Sequence, residues 1–370
     1  MDSPSSHRSA RFGSGARAAR PAFSLIELVV VIGIIVLLIS IILPALSVAR
    51  RASKVAATNN EFNEVSNAIA QFKQDQNRLP GYFSARDLGD SQNATPQGGF
   101  TPMQNVMLEL VGGIVSNQQN PTGPDIATVG PTSGKTVKVR VDSQSGMPSE
   151  NLAKYFQPKP SYFKKQDGVN GGKRYGTTDN SRLAELVDAF GQPVLMWMAD
   201  PTATGTIQSL NGANDNALAR SSAPTGANTP PARFYWASNG AFLANNATLF
   251  VGDQRKLQVT NSFITPDNAS YVKNLSVLFG SPTAAANVAG PYDQIVPAAI
   301  RGSYILQSAG QNFYYMGLKE TQLANAASSG QLLFGLNFKD AGNNFVTDAN
   351  GKTSSTDIMT KSDDIILAGN

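Results

Sequence analysis

The sequence predicts an α+β protein: one long N-terminal helix, then a body of short strands and turns with large loop insertions. Two observations carry this reading. Apolar residues run without a charge from Leu28 to Ala49 and then recur at helical spacing as far as Phe72. Beyond about residue 80 the chain is rich in Asn, Gly and Pro, with 33 Gly and 21 Pro in the whole sequence. That composition favours turns and short strands over a helical bundle. The organisation that follows is residues 1–22 as a leader and 23–49 as a membrane-length helix. Residues 50–79 are its amphipathic continuation, and 80–370 form the globular α/β domain.

The helix is justified in two parts. From Leu28 to Ala49 most positions are Val, Ile or Leu, broken by Gly33, Ser40, Pro44 and Ser47. About 20 apolar residues cross roughly 30 Å of hydrocarbon as a helix. After Arg50, Arg51 and Lys54, the residues Ala49, Ala52, Val55, Ala56, Phe62, Val65, Ile69 and Phe72 recur mostly three and four apart. That spacing predicts an amphipathic helix ending near Asn77, with Leu79-Pro80-Gly81 as its stop.

Charge and composition narrow the function. The formal net charge is +4 and the pI about 9.1. Four of the 30 basic side chains and one of the 26 acidic ones lie in residues 1–22, which leaves 26 and 25 in the rest. The basicity belongs largely to the leader, and no nucleic-acid partner is expected for the body. The chain has no Cys, and His7 is its one His. A thiol nucleophile, a Cys/His zinc site and a histidine base are therefore excluded from the body. Carboxylate pairs and oxygen-ligand calcium sites remain open.

Residues 1–22 are Ser-, Ala- and Arg-rich and read as a processed segment. Mitochondrial transit peptides share this composition, but here a membrane-length run follows at once. The basic leader favours a cytoplasmic N-terminus and an exported body. Glu27, at the edge of the run, then needs an explanation, because a carboxylate there is costly without a partner. One reading places it in the headgroup region. The other cuts the chain before Phe23, which creates an ammonium four residues away. The carboxylate of a neighbouring subunit then neutralises that ammonium inside a helix bundle.

The string Phe23-Ser-Leu-Ile-Glu27-Leu-Val-Val-Val-Ile-Gly33-Ile-Ile resembles the N-terminal motif of type IV pilins and type II secretion pseudopilins. The resemblance implies cleavage between Ala22 and Phe23 by a prepilin peptidase, N-methylation of Phe23, and an assembly role for Glu27. Ala22 stands where the family usually has Gly. Pro44 falls where the family commonly has a helix-kinking proline. A pilin-like fold is implied, with the outer half of the stem helix packed on a small antiparallel sheet. The implied partners are other pilin or pseudopilin subunits, an inner-membrane assembly platform, and membrane lipid before assembly.

The body is read in order. Thr101 to Val111 predicts a helix with Met107, Leu108 and Leu110 on its apolar face. Thr136 to Val141 alternates and predicts an exposed strand. Lys154 to Arg174 mixes lysines with Tyr155, Phe156, Tyr162 and Phe163, and reads as a solvated loop rather than a nucleic-acid patch. Ser181 to Leu186 suggests a capped helical turn, and Val194 to Ala199 a buried strand. Between them Asp188-Ala-Phe190-Gly191-Gln-Pro193 resembles the tight turn of major pseudopilins. There Gly191 supplies the unusual backbone angle and Pro193 the strand start.

Residues 201–231 are low in complexity and read as a surface loop. Arg233 to Ala237 predicts a strand. Pro266 to Phe279 predicts a helix capped by Asp267 and Asn268. Tyr304 to Gly310 followed by Phe313 to Tyr315 predicts a hairpin with Gly310 in its turn. Ser362 to Ile366 resembles the acidic stretch before the last strand of the family.

Some major pseudopilins bind calcium in a C-terminal loop. The matching acids and amide here are Asp348, Asn350, Asp357, Asp363 and Asp364, in a Gly/Asn-rich stretch. They lack a full twelve-residue loop with a terminal Glu, so solvated acids are the preferred reading over a calcium site. No cofactor and no enzyme activity are expected, since neither a nucleophile elbow nor a phosphate loop is present. The expected function is a structural subunit of a type II secretion or type IV pilus-like fibre. The alternative is a membrane-anchored exported binding protein or adhesin that uses the apolar segment only as an anchor.

Overall fold

The computed structural model describes residues 24–94, 99–116, 118–119, 121–148, 155–165, 179–200, 217–221, 232–243, 262, 264, 275–280, 300–317, 359 and 362–370. Ala22, Phe23, Asp348, Asn350, Asp357 and the first part of the expected 266–279 helix lie outside them. The chain divides into two compact units, Met1–Arg51 and Ala52–Asn370. Helix α1, Leu25–Gln76, contributes to both.

Helix α1 ends as its sequence directs. Lys73 lies in the last turn, where a cation complements the exposed carbonyls. Asn77 takes φ 54°, and its amide donates to the Lys73 carbonyl at 2.9 Å. A left-handed Asn is a usual helix stop.

In the second unit the buried stripe of α1 is Thr58, Glu61, Phe62, Val65, Ala68, Ile69 and Phe72. The expected apolar positions Ala52 and Ala56 are instead exposed, and Val55 is half-buried. Packing therefore begins about two turns later than the pattern of alanines suggested.

A short helix, α2, Ala85–Leu88, follows α1. The buried stripe of α1 packs on helix α3, Pro102–Leu110, and on a three-stranded sheet. Thr101 and Gln104 form a capping box at the start of α3, with Pro102 in its first turn. Met103, Val106, Met107 and Leu110 of α3 meet Phe62, Val65, Ile69 and Phe72 of α1 in one core. The apolar face of α3 is wider than expected, because Leu108 enters a second core with Phe100, Val129, Val137 and Val139.

The described strands form four small antiparallel sheets. Strand β1, Ile126–Thr132, pairs with β2, Lys135–Arg140. Strand β3, Phe163–Lys165, pairs with β4, Ala184–Leu186. Strand β5, Leu195–Met198, pairs with β8, Tyr304–Ser308, which also pairs with β9, Ile365–Gly369. Strand β6, Ala217–Ser221, pairs with β7, Ala232–Tyr235. The Ser66 and Tyr304 hydroxyls lie 2.9 Å apart and tie α1 to β8.

Several expectations change. The stretch from Lys154, read as a solvated loop, buries Phe156 in the core and forms β3, and within 201–231, read as a surface loop, Ala217–Ser221 is strand β6. Strand β2 is not exposed: Val137 and Val139 are fully buried, so one face covers a core. At 181–186 the chain makes a single 3-10 turn, Asn180–Arg182, and then strand β4. The polar groups of Asp179 and Asn180 at this turn bind β1. Thr128 donates its amide to Asp179 at 3.0 Å, and Gly130 to Asn180 at 2.8 Å. The strand at Arg233–Ala237 stops at Tyr235 and continues as a 3-10 turn, Trp236–Asn239, and a short helix, α4, Gly240–Leu243.

Finally, Tyr304–Tyr315 is not a hairpin. All five residues of β8 are buried, and both of its edges are taken by strands distant in sequence. Gly310 does turn the chain, with φ +62°, and a Cβ there would meet the Asp363 carbonyl oxygen at 2.0 Å. Only glycine fits. Residues from Leu275 to Phe279 form helix α5, the described end of the expected longer helix.

Candidate functional site

The first unit presents apolar side chains on every side. Every residue from Ser24 to Lys54 is exposed. Eighteen Leu, Ile and Val side chains between Leu25 and Val48 are among them. Burying each is worth about 1.5–3 kcal/mol, so tens of kcal/mol depend on a lipid or protein neighbour. This is the one helix among the described residues long and apolar enough to cross a membrane. At about 1.5 Å per residue, residues 25–49 extend for roughly 37 Å.

The two serine hydroxyls within the segment are satisfied internally, as hydrocarbon favours. The Ser40 hydroxyl donates to the Leu37 carbonyl and the Ser47 hydroxyl to the Pro44 carbonyl, both at 2.7 Å. Pro44 stands inside the helix and has no N–H to donate. A Cβ on Gly33 would meet nothing within 4 Å, which leaves room there for a close neighbour.

Glu27 is the third residue of α1. Its Oε2 accepts the Ser24 backbone N–H at 2.9 Å. This is half of a capping box, and it also places negative charge at the positive end of the helix. The other oxygen has no hydrogen-bond partner among the described residues. Ile26, Val30 and Val31 line a shallow open groove beside the carboxylate.

Two of the five candidate calcium ligands are described, and both have structural roles. Asp363 accepts the Asn312 backbone amide and its side-chain amide, each at 2.8 Å. Asp364 accepts Gln307 Nε2 at 2.6 Å and the Met316 amide at 3.0 Å. Among the described residues no group of three His, Cys, Asp or Glu side chains is placed to hold a metal.

The Asp188 turn has the expected geometry. Asp188 Oδ1 accepts the Phe190 and Gln192 amides at 2.9 and 2.8 Å. Gly191 has φ +83°, and Val187 bridges Pro193 just before β5. Ser308 of β8 donates to Asp188 Oδ2 at 2.5 Å. Burial pushes the Asp188 carboxyl up to about 6, against the pull of those donors.

One residue escaped the sequence reading. Glu61 is fully buried in the core stripe of α1, and neither carboxylate oxygen has a hydrogen-bond partner among the described residues. Burial first, then the fields of Asp188 and Glu64, push its pKa up to about 9, with Lys159 opposing. The signal was present: Thr58, Glu61, Val65, Ala68 and Phe72 follow the three-four spacing of a buried stripe.

No family model, curated protein or solved structure matches the chain. The resemblance carried by Phe23 to Ile35 rests on those residues themselves.

Proposed function

We propose that this chain is a structural subunit, pseudopilin or pilin-like, of a type II secretion or type IV pilus-like fibre. A prepilin peptidase cuts it between Ala22 and Phe23 and Phe23 is methylated. Before assembly the segment from Leu25 to Val48 lies in the inner membrane, with the N-terminus cytoplasmic and the body exported. At an inner-membrane platform the same surface then exchanges lipid for neighbouring subunits.

The observation that carries this reading is an apolar helix exposed from Ser24 to Lys54 and opened by one acid, of which one oxygen has no hydrogen-bond partner among the described residues. Nothing in hydrocarbon favours that oxygen. A subunit bringing an ammonium to it does. The test is Glu27→Ala, scored by recovery of the subunit in sheared fibres and, separately, in the membrane fraction. The expected result is membrane insertion at the wild-type level and no fibre incorporation. Normal incorporation of the variant sinks the assembly role.

The Ser24–Glu27 contact supports a second reading. If Glu27 only caps its own helix, the chain is a membrane-anchored exported binding protein or adhesin. Glu27→Gln distinguishes the two. Its amide oxygen still accepts the Ser24 N–H, so a capping role survives, whereas neutralisation of an ammonium does not.

A further inference from the structure

Glu61 is the buried ionisable group that the fibre reading does not use. It lies in the second unit, on the half of α1 that packs against the body, with zero exposure. Polar side chains around it are already committed. Thr58, one turn earlier, accepts the Ala189 amide at 3.2 Å. Asp188 is held by Ser308 and its own turn amides. On β8, the Tyr304 hydroxyl is engaged with Ser66. Glu64, on α1 itself, binds Lys159 at 3.0 Å, and Lys159 also donates to the Tyr162 hydroxyl at 3.1 Å.

The charged groups whose fields reach Glu61 are thus two anions, Asp188 and Glu64, and one exposed cation, Lys159. Lys54, further back on α1, sits over the Phe190 ring at 5.4 Å. A neutral carboxylic acid tolerates this site. A carboxylate with no donor and two anions nearby does not, because burying an unpaired charge costs far more than burying a neutral polar group.

We propose that Glu61 is a protonation-controlled lock: as a neutral acid it lets the Ala52–Gln76 half of α1 seat against the Asp188 turn, and its ionisation unseats that half. The inference does not depend on the fibre reading. It applies to the packing of the body whatever the body is for.

The direction follows from linkage. Glu61 binds its proton more tightly folded than unfolded, so the stabilisation is complete below about 4.5 and is lost as pH rises toward 9. Asp188 acts in the same direction over a lower window, from 3.8 to about 6. Between about pH 6 and 9 the dependence is therefore that of Glu61 alone, one proton, or roughly a tenfold change in the opening constant per pH unit.

The experiment is amide hydrogen exchange on the full chain in detergent, comparing wild type with Glu61→Gln at the same pH, so that intrinsic base catalysis cancels. The amides of Phe62, Val65 and Ile69 are followed. The expected ratio of wild-type to variant exchange rises about tenfold per pH unit between 6 and 9. A ratio that stays constant over that range overturns the lock. Should Glu61→Gln fail to fold, difference infrared spectroscopy of the wild type decides. A protonated carboxyl band present at pH 7 and lost above about 9 supports it. Its absence at pH 7 overturns it.

Discussion

The two halves of α1 are one helix under opposite solvation. From Leu25 to Val48 apolar side chains are exposed all round, and the acid, Glu27, is exposed and hydrogen-bonded to its own backbone. From Thr58 to Phe72 one stripe is buried, and its acid, Glu61, is buried and unpartnered. Each half places a carboxylate where apolar packing alone would not. The difference lies in what surrounds the acid. Glu27 faces no other part of the described chain, whereas Glu61 is enclosed by the body and has no hydrogen-bond donor among the described residues. Composition is thus a poor guide to role, since the more hydrophobic half is the one without a core.

The sharpest contrast comes from truncating one large side chain in each half. Phe62→Ala removes a fully buried ring from the core shared by α1, α3 and β8. It should cost about 3–5 kcal/mol in denaturant unfolding of the full chain in detergent. An intermediate effect tests what holds the Asp188 turn. Ser308→Ala deletes the donor to Asp188 Oδ2 and should cost about 1–3 kcal/mol in the same measurement.

Smaller again is Thr101→Ala, which removes the cap of α3, at about 1 kcal/mol. At the bottom is Ile34→Ala. Ile34 touches no core in the first unit, so unfolding of the body should shift by less than about 0.5 kcal/mol. A loss as large as that for Phe62→Ala would abolish the distinction between the halves.

Much of this was legible in the residues. The continuous helix follows from periodicity, its end from Asn77 and Pro80, α3 from the apolar Met107, Leu108 and Leu110, and the Asp188 turn from Gly191 and Pro193. Each of those signals is local. What could not be read is non-local. Strand β8 has both edges filled by β5 and β9, and nothing in Tyr304-Ile-Leu-Gln-Ser308 names partners about 60 and 110 residues away. A Gly310 turn next to aromatic residues therefore looked like a hairpin.

The turn expected at Ser181 to Leu186 likewise gives way to a strand, because Asp179 and Asn180 are held by β1, about 50 residues earlier. Of the candidate site, Glu27 was legible because an acid beside an uncharged run stands out. Glu61 was not, because the same acid among polar residues looks like a solvated face until its stripe position is counted.

The central claim, a processed and assembled subunit, meets its most direct test at the N-terminus of the mature protein. Mass spectrometry of the membrane-extracted chain should find N-methylated Phe23 as the first residue. An intact Met1, or a cut near Ser47, would contradict it.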